Sequence, residues 1–223
     1  MNRKGITLIE LLVALVISGF VIAGIYRLFV AQTKAYTIQD QVVEVQQNVR
    51  SAMERLLRDL RMTGYDNDHP DSKVAVATPL VVGDHSVTTS FELNNTTLWT
   101  ITYARDVANS RLTIQVTETR DDGTVTNLTP SPEDQILLNN VDAFNLTYGV
   151  DQDNNGAMDD RNANGVIDDN DWVSAATVTG GNLKVVAIRV ILTARPTQAN
   201  PDMEMVSPRT LQSAVTLRNL CLR

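Results

Sequence analysis

The feature that most narrows the fold is an apolar run close to the N-terminus. Between Ile6 and Tyr26 the only ionisable side chain is Glu10. About twenty apolar residues suffice to cross a bilayer as a helix. A short basic leader, residues 1–5 with Arg3 and Lys4, runs directly into this segment. A secretory signal peptide would place a small-residue cleavage site after the apolar run. None follows here, so the segment is expected to be retained.

Beyond residue 31 the apolar pattern thins but continues. Ile38, Val42, Val45, Val49, Ala52, Leu56 and Leu60 recur at spacings of three and four, which is one stripe of a helix. Charged residues fill the other faces, with Glu54–Arg58 and Arg55–Asp59 spaced i,i+4. No proline occurs before Pro70, and Gly64 is a candidate C-terminal cap. The spacing predicts one helix over residues 6–63, roughly 85–90 Å long. Two helices broken near residues 33–37 are the alternative.

At the start of this helix stands Gly5-Ile6-Thr7-Leu8-Ile9-Glu10. The string resembles the processing site of type IV prepilins and type II secretion pseudopilins, although that family usually has Phe where Ile6 stands. The resemblance implies cleavage between Gly5 and Ile6 by a prepilin peptidase, N-methylation of Ile6, and an assembly role for Glu10. A carboxylate in hydrocarbon costs several kcal/mol and usually has a partner or a function. The free amine of Ile6, in the same chain or a neighbour, is the expected partner. A plain signal-anchor helix, with Glu10 near the interface, is the competing reading.

Residues 55–65, Arg-Leu-Leu-Arg-Asp-Leu-Arg-Met-Thr-Gly-Tyr, are also similar to the end of the long helix in PilW-type minor pilins and the related GspJ-type pseudopilins. The ending Leu217-Arg218-Asn219 resembles the C-terminal strand of PilW-like proteins. The implied fold is α+β, the type IV pilin fold, with a long N-terminal helix on an antiparallel β-sheet. The implied layout is a leader (1–5), a membrane or filament-core helix (6–31), its amphipathic continuation (32–64) and a β-rich extracytoplasmic domain (65–223).

Net charge is −7, and removal of Arg3 and Lys4 would make it −7 − 2 = −9. Nucleic acid is therefore not an expected partner. A single cysteine, Cys221, excludes an intrachain disulfide, and with only two histidines a Cys/His zinc site is not expected.

The rest of the chain reads as strands. Trp99, Ile101 and Tyr103 alternate with threonines, as do Leu112, Ile114 and Val116, then Phe144, Leu146, Tyr148 and Val150. Period two with one apolar face marks half-buried antiparallel strands. Residues 74–82, containing Pro79, read as an edge strand. Asp121-Asp122-Gly123 is a hairpin signal. Final strands are expected at 186–192 and 210–217.

One stretch carries its own chemistry. Residues 151–171 read DQDNNGAMDDRNANGVIDDND. Asp160, Asn162, Asn164, Gly165, Val166, Asp168 and Asp171 fall at positions 1, 3, 5, 6, 7, 9 and 12 of an EF-hand-type calcium loop. Val166 would contribute its carbonyl, Gly165 the sharp turn, and Ile167 would pack. A second frame begins nine residues earlier, with Asp151, Asp153, Asn155, Gly156, Ala157 and Asp159. The two overlap, so either one ion sits in the later frame or two ions share ligands. Asp171 replaces the usual bidentate Glu and no flanking helices are expected, which suits affinity of about micromolar to millimolar. Magnesium, which keeps its waters, fits less well. A solvated acidic loop is the bland alternative.

The readings converge on a PilW-like minor pilin, a non-catalytic subunit in type IV pilus assembly whose calcium loop stabilises the globular domain. Expected partners are other major and minor pilins, the prepilin peptidase, the inner-membrane assembly platform, and membrane lipid before assembly. The expected location is the inner membrane, single-pass with the C-terminal domain periplasmic, and then the pilus. A GspJ-like pseudopilin of type II secretion and a membrane-anchored calcium-dependent adhesin are the alternatives. No nucleophile–base spacing or phosphate-binding glycine loop supports an enzyme.

Overall fold

The computed structural model describes residues 7–66, 70–133, 135–196 and 208–221. The chain divides into two compact units, Met1–Val43 and Glu44–Arg223. One uninterrupted helix, α1 (Leu8–Arg61), runs through the boundary.

In the first unit, the large apolar side chains from Leu8 to Phe29 are all exposed. The helix is long and apolar enough to cross a membrane. Its hydroxyl side chains bond back to the helix: Ser18 Oγ to the Ala14 carbonyl, Thr33 Oγ1 to that of Phe29, Thr37 Oγ1 to that of Thr33. The polar stretch at 33–37 therefore satisfies itself one turn back and does not break the helix.

In the second unit, residues 44–61 of α1 bury the predicted stripe. Val45, Val49, Ala52, Leu56 and Leu60 are buried, joined by Met53 and Leu57, while Ile38 and Val42 lie before this unit and are not. The helix gives way to a turn ending at Gly64, which adopts φ +72 and donates its N–H to the Ser90 carbonyl. Asp59 accepts a 2.6 Å hydrogen bond from the Tyr103 hydroxyl and lies 3.6 Å from Arg58. Burial first, then the Asp59 carboxylate, pushes the Tyr103 phenol above its ordinary range.

The α+β class holds, but there are two antiparallel sheets where one was expected. The larger is β1 (Leu80–Val82), β2 (Ser86–Asn94), β3 (Thr97–Asp106), β4 (Arg111–Arg120) and β5 (Val125–Asn127) in that order, with β6 (Ile136–Leu138) also on β4. The smaller is β7 (Val141–Asp151), β8 (Lys184–Ala194) and β9 (Arg209–Thr216). Facing rows such as Val87–Tyr103–Ile114 and Tyr148–Ile188–Val215 are buried. Together with the α1 stripe they form one hydrophobic core.

Two local readings need correction, and two short elements carry no alternation to read. Within residues 74–82 only Leu80–Val82 forms a strand, because Pro79 lacks the N–H a ladder needs. A short helix, α2 (Ala175–Gly181), precedes β8; β-branched residues and a Gly pair mask it, although Ser174 caps its start and Asn182 its end in the left-handed conformation. The strand β6, only three residues long, is too short to show a period of two. Arg218 and Asn219 lie in a helical turn, α3 (Arg218–Cys221), and do not continue a strand.

Leu56 is fully buried, whereas Val125 on β5 is 64% exposed. In the detergent-extracted chain, Leu56→Ala should lower unfolding free energy by about 2–5 kcal/mol. Val125→Ala should stay within about 0.5 kcal/mol. Urea midpoints of the two variants check the seating of α1 on the sheets.

Candidate functional site: the helix entrance and the tandem acidic loop

Two regions carry the predicted functional residues. At the helix entrance, Gly5 and Ile6, the predicted processing pair, lie outside the described residues. Glu10 is described. Its Oε2 accepts hydrogen bonds from the Thr7 backbone N–H and hydroxyl, each at 2.9 Å, and Thr7 Oγ1 in turn accepts from the Glu10 N–H at 3.4 Å. This reciprocal arrangement is a capping box, the spacing Thr-x-x-Glu satisfying free N–H groups of the first turn. The predicted partner of Glu10 was the Ile6 amine; the partner among the described residues is Thr7, three positions earlier.

The acidic loop leaves β7 at Asp151 and is tied back to the same strand twice. Asp159 donates its N–H to the Val150 carbonyl at 2.9 Å, and Val173 and Tyr148 exchange two backbone bonds of 2.9 Å. Between these ties the backbone repeats itself with a period of nine. In the first loop the Asp151 carboxylate accepts from the N–H groups of Asn155 and Gly156 at 3.1 and 3.0 Å. In the second, the Asp160 carboxylate accepts from those of Asn164 and Gly165. Asn155 Oδ1 accepts from Ala157, as Asn164 Oδ1 does from Val166. Left-handed residues recur in step: Asn154 and Gly156 (φ 58 and 83), then Ala163 and Gly165 (φ 56 and 84). Gly156 has a second reason to lack a side chain, since a Cβ there would meet the Cys221 carbonyl at 3.1 Å.

The loops close differently. The first closes on Asp159, whose Oδ2 accepts from Gln152 N–H at 2.7 Å. The second closes on Asp171, whose two oxygens accept from Arg161 and Asp168 at 2.8 and 2.7 Å. Asp171 is fully buried and begins no flanking helix of EF-hand length; it ends a single 3-10 turn, Asp169–Asp171, capped by Asp168.

The structure groups the carboxylates of the earlier frame. Oxygens of Asp151, Asp153 and Asp159 lie within 4.8 Å of one another. In the later frame the Asn162 and Asn164 amides donate to Asp168, the latter at 2.9 Å. Ile167 corrects the expectation that it would pack: it is 47% exposed, and so is Val166 at 64%. The equivalent residue of the earlier frame, Met158, does pack, close against Gly149.

Cations of the chain approach the loop from β8, through strand pairing between residues distant in sequence. Lys184 Nζ lies 3.5 Å from the buried Asp151 carboxylate. Arg189 donates to Asp169 at 2.7 Å and sits 4.2 Å over the Trp172 ring. Burial pushes the Asp151 carboxyl up, but the Gly156 and Asn155 N–H groups, Asp153 and Lys184 outweigh it and hold the group below the ordinary carboxylate range. The Asn170 N–H, aided by the Asn164 and Asn162 amides, does the same for Asp168 against a smaller effect of burial.

Residues 1–26 match the family described as the prokaryotic N-terminal methylation motif. No curated protein and no solved structure matches the chain. The motif, and the long apolar helix that carries it, support a type IV pilin-like protein. A long helix followed by antiparallel sheets is the type IV pilin-like α+β architecture. Proteins with this motif are filament subunits that are processed by a prepilin peptidase and assemble with other pilins.

A carboxyl depressed in the folded state contributes stability above its unfolded pKa and loses it as pH falls through the folded value. Asp151 and Asp168 therefore add stability at neutral pH that disappears below about pH 4. Asp151→Asn should lower the thermal midpoint at pH 7. It should also flatten the decline between pH 4 and 2.5 relative to the parent chain, which thermal scans across that range would show.

Proposed function

We propose that this chain is a minor pilin of the PilW type, a non-catalytic subunit that helps initiate type IV pilus assembly. Before assembly it sits in the inner membrane through residues 6–31, with residues 65–223 in the periplasm and the amphipathic stretch 32–64, helical to Arg61, between them. The leader, residues 1–5, is cut off between Gly5 and Ile6, and the Ile6 amine is methylated. Glu10, capped on Thr7 in the free helix, is then free to meet the amine of a neighbouring subunit. The observation that carries this reading is the methylation motif over residues 1–26 running directly into one unbroken helix. The partners are other major and minor pilins, the prepilin peptidase and the assembly platform.

Within this reading the tandem loop binds calcium. The donor set supports it: every candidate ligand is a carboxylate, amide or backbone oxygen, as hard cations require. Backbone N–H groups already turn the Asp151 and Asp160 carboxylates inward. Asp151, Asp153, Asn155, Asp159 and the Ala157 carbonyl would hold an ion in the first frame; Asp160, Asn162, Asn164, Asp168, Asp171 and the Val166 carbonyl would hold one in the second. Lys184 offsets only part of the negative charge. An ion would fix a loop that connects two core strands in a chain without a disulfide.

The first test is the N-terminus of the chain extracted from its native membranes. Mass spectrometry should find a methylated Ile6; a chain still carrying residues 1–5, in cells with an active prepilin peptidase, would sink the assignment. The second is thermal. Millimolar calcium should raise the midpoint of the extracted chain. The pair Asp151→Ala/Asp153→Ala and the pair Asp160→Ala/Asp168→Ala then tell which frame holds the ion, and an unchanged midpoint in the parent chain removes calcium from the account.

A further inference from the structure

A sheet edge is a row of unpaired backbone donors and acceptors, which folded chains cover, shorten or kink. Most edges here are treated in this way. β1 is three residues long and follows Pro79; β5 and β6 are three residues each. The free side of β7 is covered, since Val141 donates to the Ser110 carbonyl, Leu146 to that of Asp84, and Tyr148 pairs with Val173.

β9 is different. Like β1 it follows a proline, Pro208, but it runs eight residues with no proline or lysine within it and no break in its register against β8. Leu217 donates to the Val186 carbonyl at 2.8 Å, and bonded pairs alternate along an antiparallel ladder. The alternation turns the N–H and C=O groups of Thr210, Gln212, Ala214 and Thr216 away from β8. Among the described residues no backbone group meets them.

The ends of this edge are positive. Arg61 and Arg218 border a hollow of about 420 Å³ whose remaining lining is Ala214, Val215 and Thr216. Arg209 stands at the other end, its Nε buried without a partner among the described residues. None of these three arginines forms an ion pair among the described residues. In a chain of net charge −7 the edge is a local reversal of sign.

We propose that β9 takes up an extended, carboxylate-bearing segment of a sister filament subunit as a further strand of the β7–β8–β9 sheet. Main-chain bonds along the four outward residues supply affinity, as in other strand additions. Arg61 and Arg218 select an acidic side chain at one end of the added strand, and Arg209 at the other. The inference rests on the filament-subunit reading given above.

The test uses the full chain in its native cells, with photoreactive benzoylphenylalanine in place of the exposed Gln212. Ala214→Pro is the diagnostic variant. It removes an outward N–H and leaves the β8 ladder intact, because an edge strand tolerates proline where the N–H faces away. The expected result is a cross-link to a pilin-like subunit, mapping to an extended acidic segment. It should fall roughly tenfold in Ala214→Pro and in Arg218→Glu, the loss of about one hydrogen bond or ion pair, with urea midpoints unchanged. If Ala214→Pro lowers the midpoint, Arg218→Glu carries the test. A cross-link indifferent to both substitutions, one mapping to a second copy of this chain, or none at all overturns the proposal. The N-terminus is read in the same samples. A chain starting at Ile6 with no cross-link sinks this inference alone, whereas a chain retaining its leader sinks the filament-subunit reading beneath it.

Discussion

A single helix in this chain has to satisfy two surroundings, and the burial of its second part on the sheets is the interaction the globular unit depends on. Val45, Val49, Ala52, Met53, Leu56, Leu57 and Leu60 supply one side of a core whose other side is built by both sheets. Neither sheet closes on itself, and each has an apolar face that would meet water without this cover. Among the described residues the first part of the helix has its apolar side chains exposed all round, the composition of a helix surrounded by lipid or by other helices. Continuity through residues 33–37 is cheap because Thr33 and Thr37 bond to carbonyls one turn back.

The acidic loop is held by its own backbone before any ion is considered. A nine-residue unit occurs twice, and the same Asx-type bonds and left-handed residues recur at Asn154/Ala163 and Gly156/Gly165. Seven aspartates in 21 residues repel one another. Backbone N–H groups, Lys184 and Arg189 offset part of that repulsion. The two halves differ in burial: Met158 packs on Gly149 in the first, whereas Ile167 faces outward in the second. The first half is therefore the more closely packed at this position, although the spacing to position 12 favours the second.

Much of this was legible because periodicity reports burial directly. The stripe from Val45 to Leu60 and the alternation through Trp99, Ile101 and Tyr103 each bury the face they advertise. Asn94 and Asn127 each accept from a threonine two residues later, closing turns. What stayed hidden depended on contacts distant in sequence. The division into two sheets follows from β7 meeting β8 across an insertion and not pairing with β6. Lys184 beside Asp151 is 33 positions away along the chain but opposite in the ladder. The helix α2 was hidden because its Thr, Val and Gly residues have weak helical propensity and its caps do the work.

The C-terminal turn links the acidic loop to the end of the long helix. Asn219 reaches the carbonyls at the C-terminal end of α1, its Nδ2 lying 3.2 Å from the Thr63 oxygen. Two residues on, the Cys221 carbonyl lies against Gly156, where even a methyl group would crowd it. Leu220 packs on Gly64, the residue that turns the chain off the helix. A four-residue helix thus touches the loop on one side and the last turn of α1 on the other. Through these contacts α3 bridges the Gly156 turn of the loop and the turn that ends α1. In a chain with one cysteine this short segment joins two places that an intrachain disulfide could not, and it adjoins β9, whose outward edge is the longest row of unpaired backbone groups among the described strands.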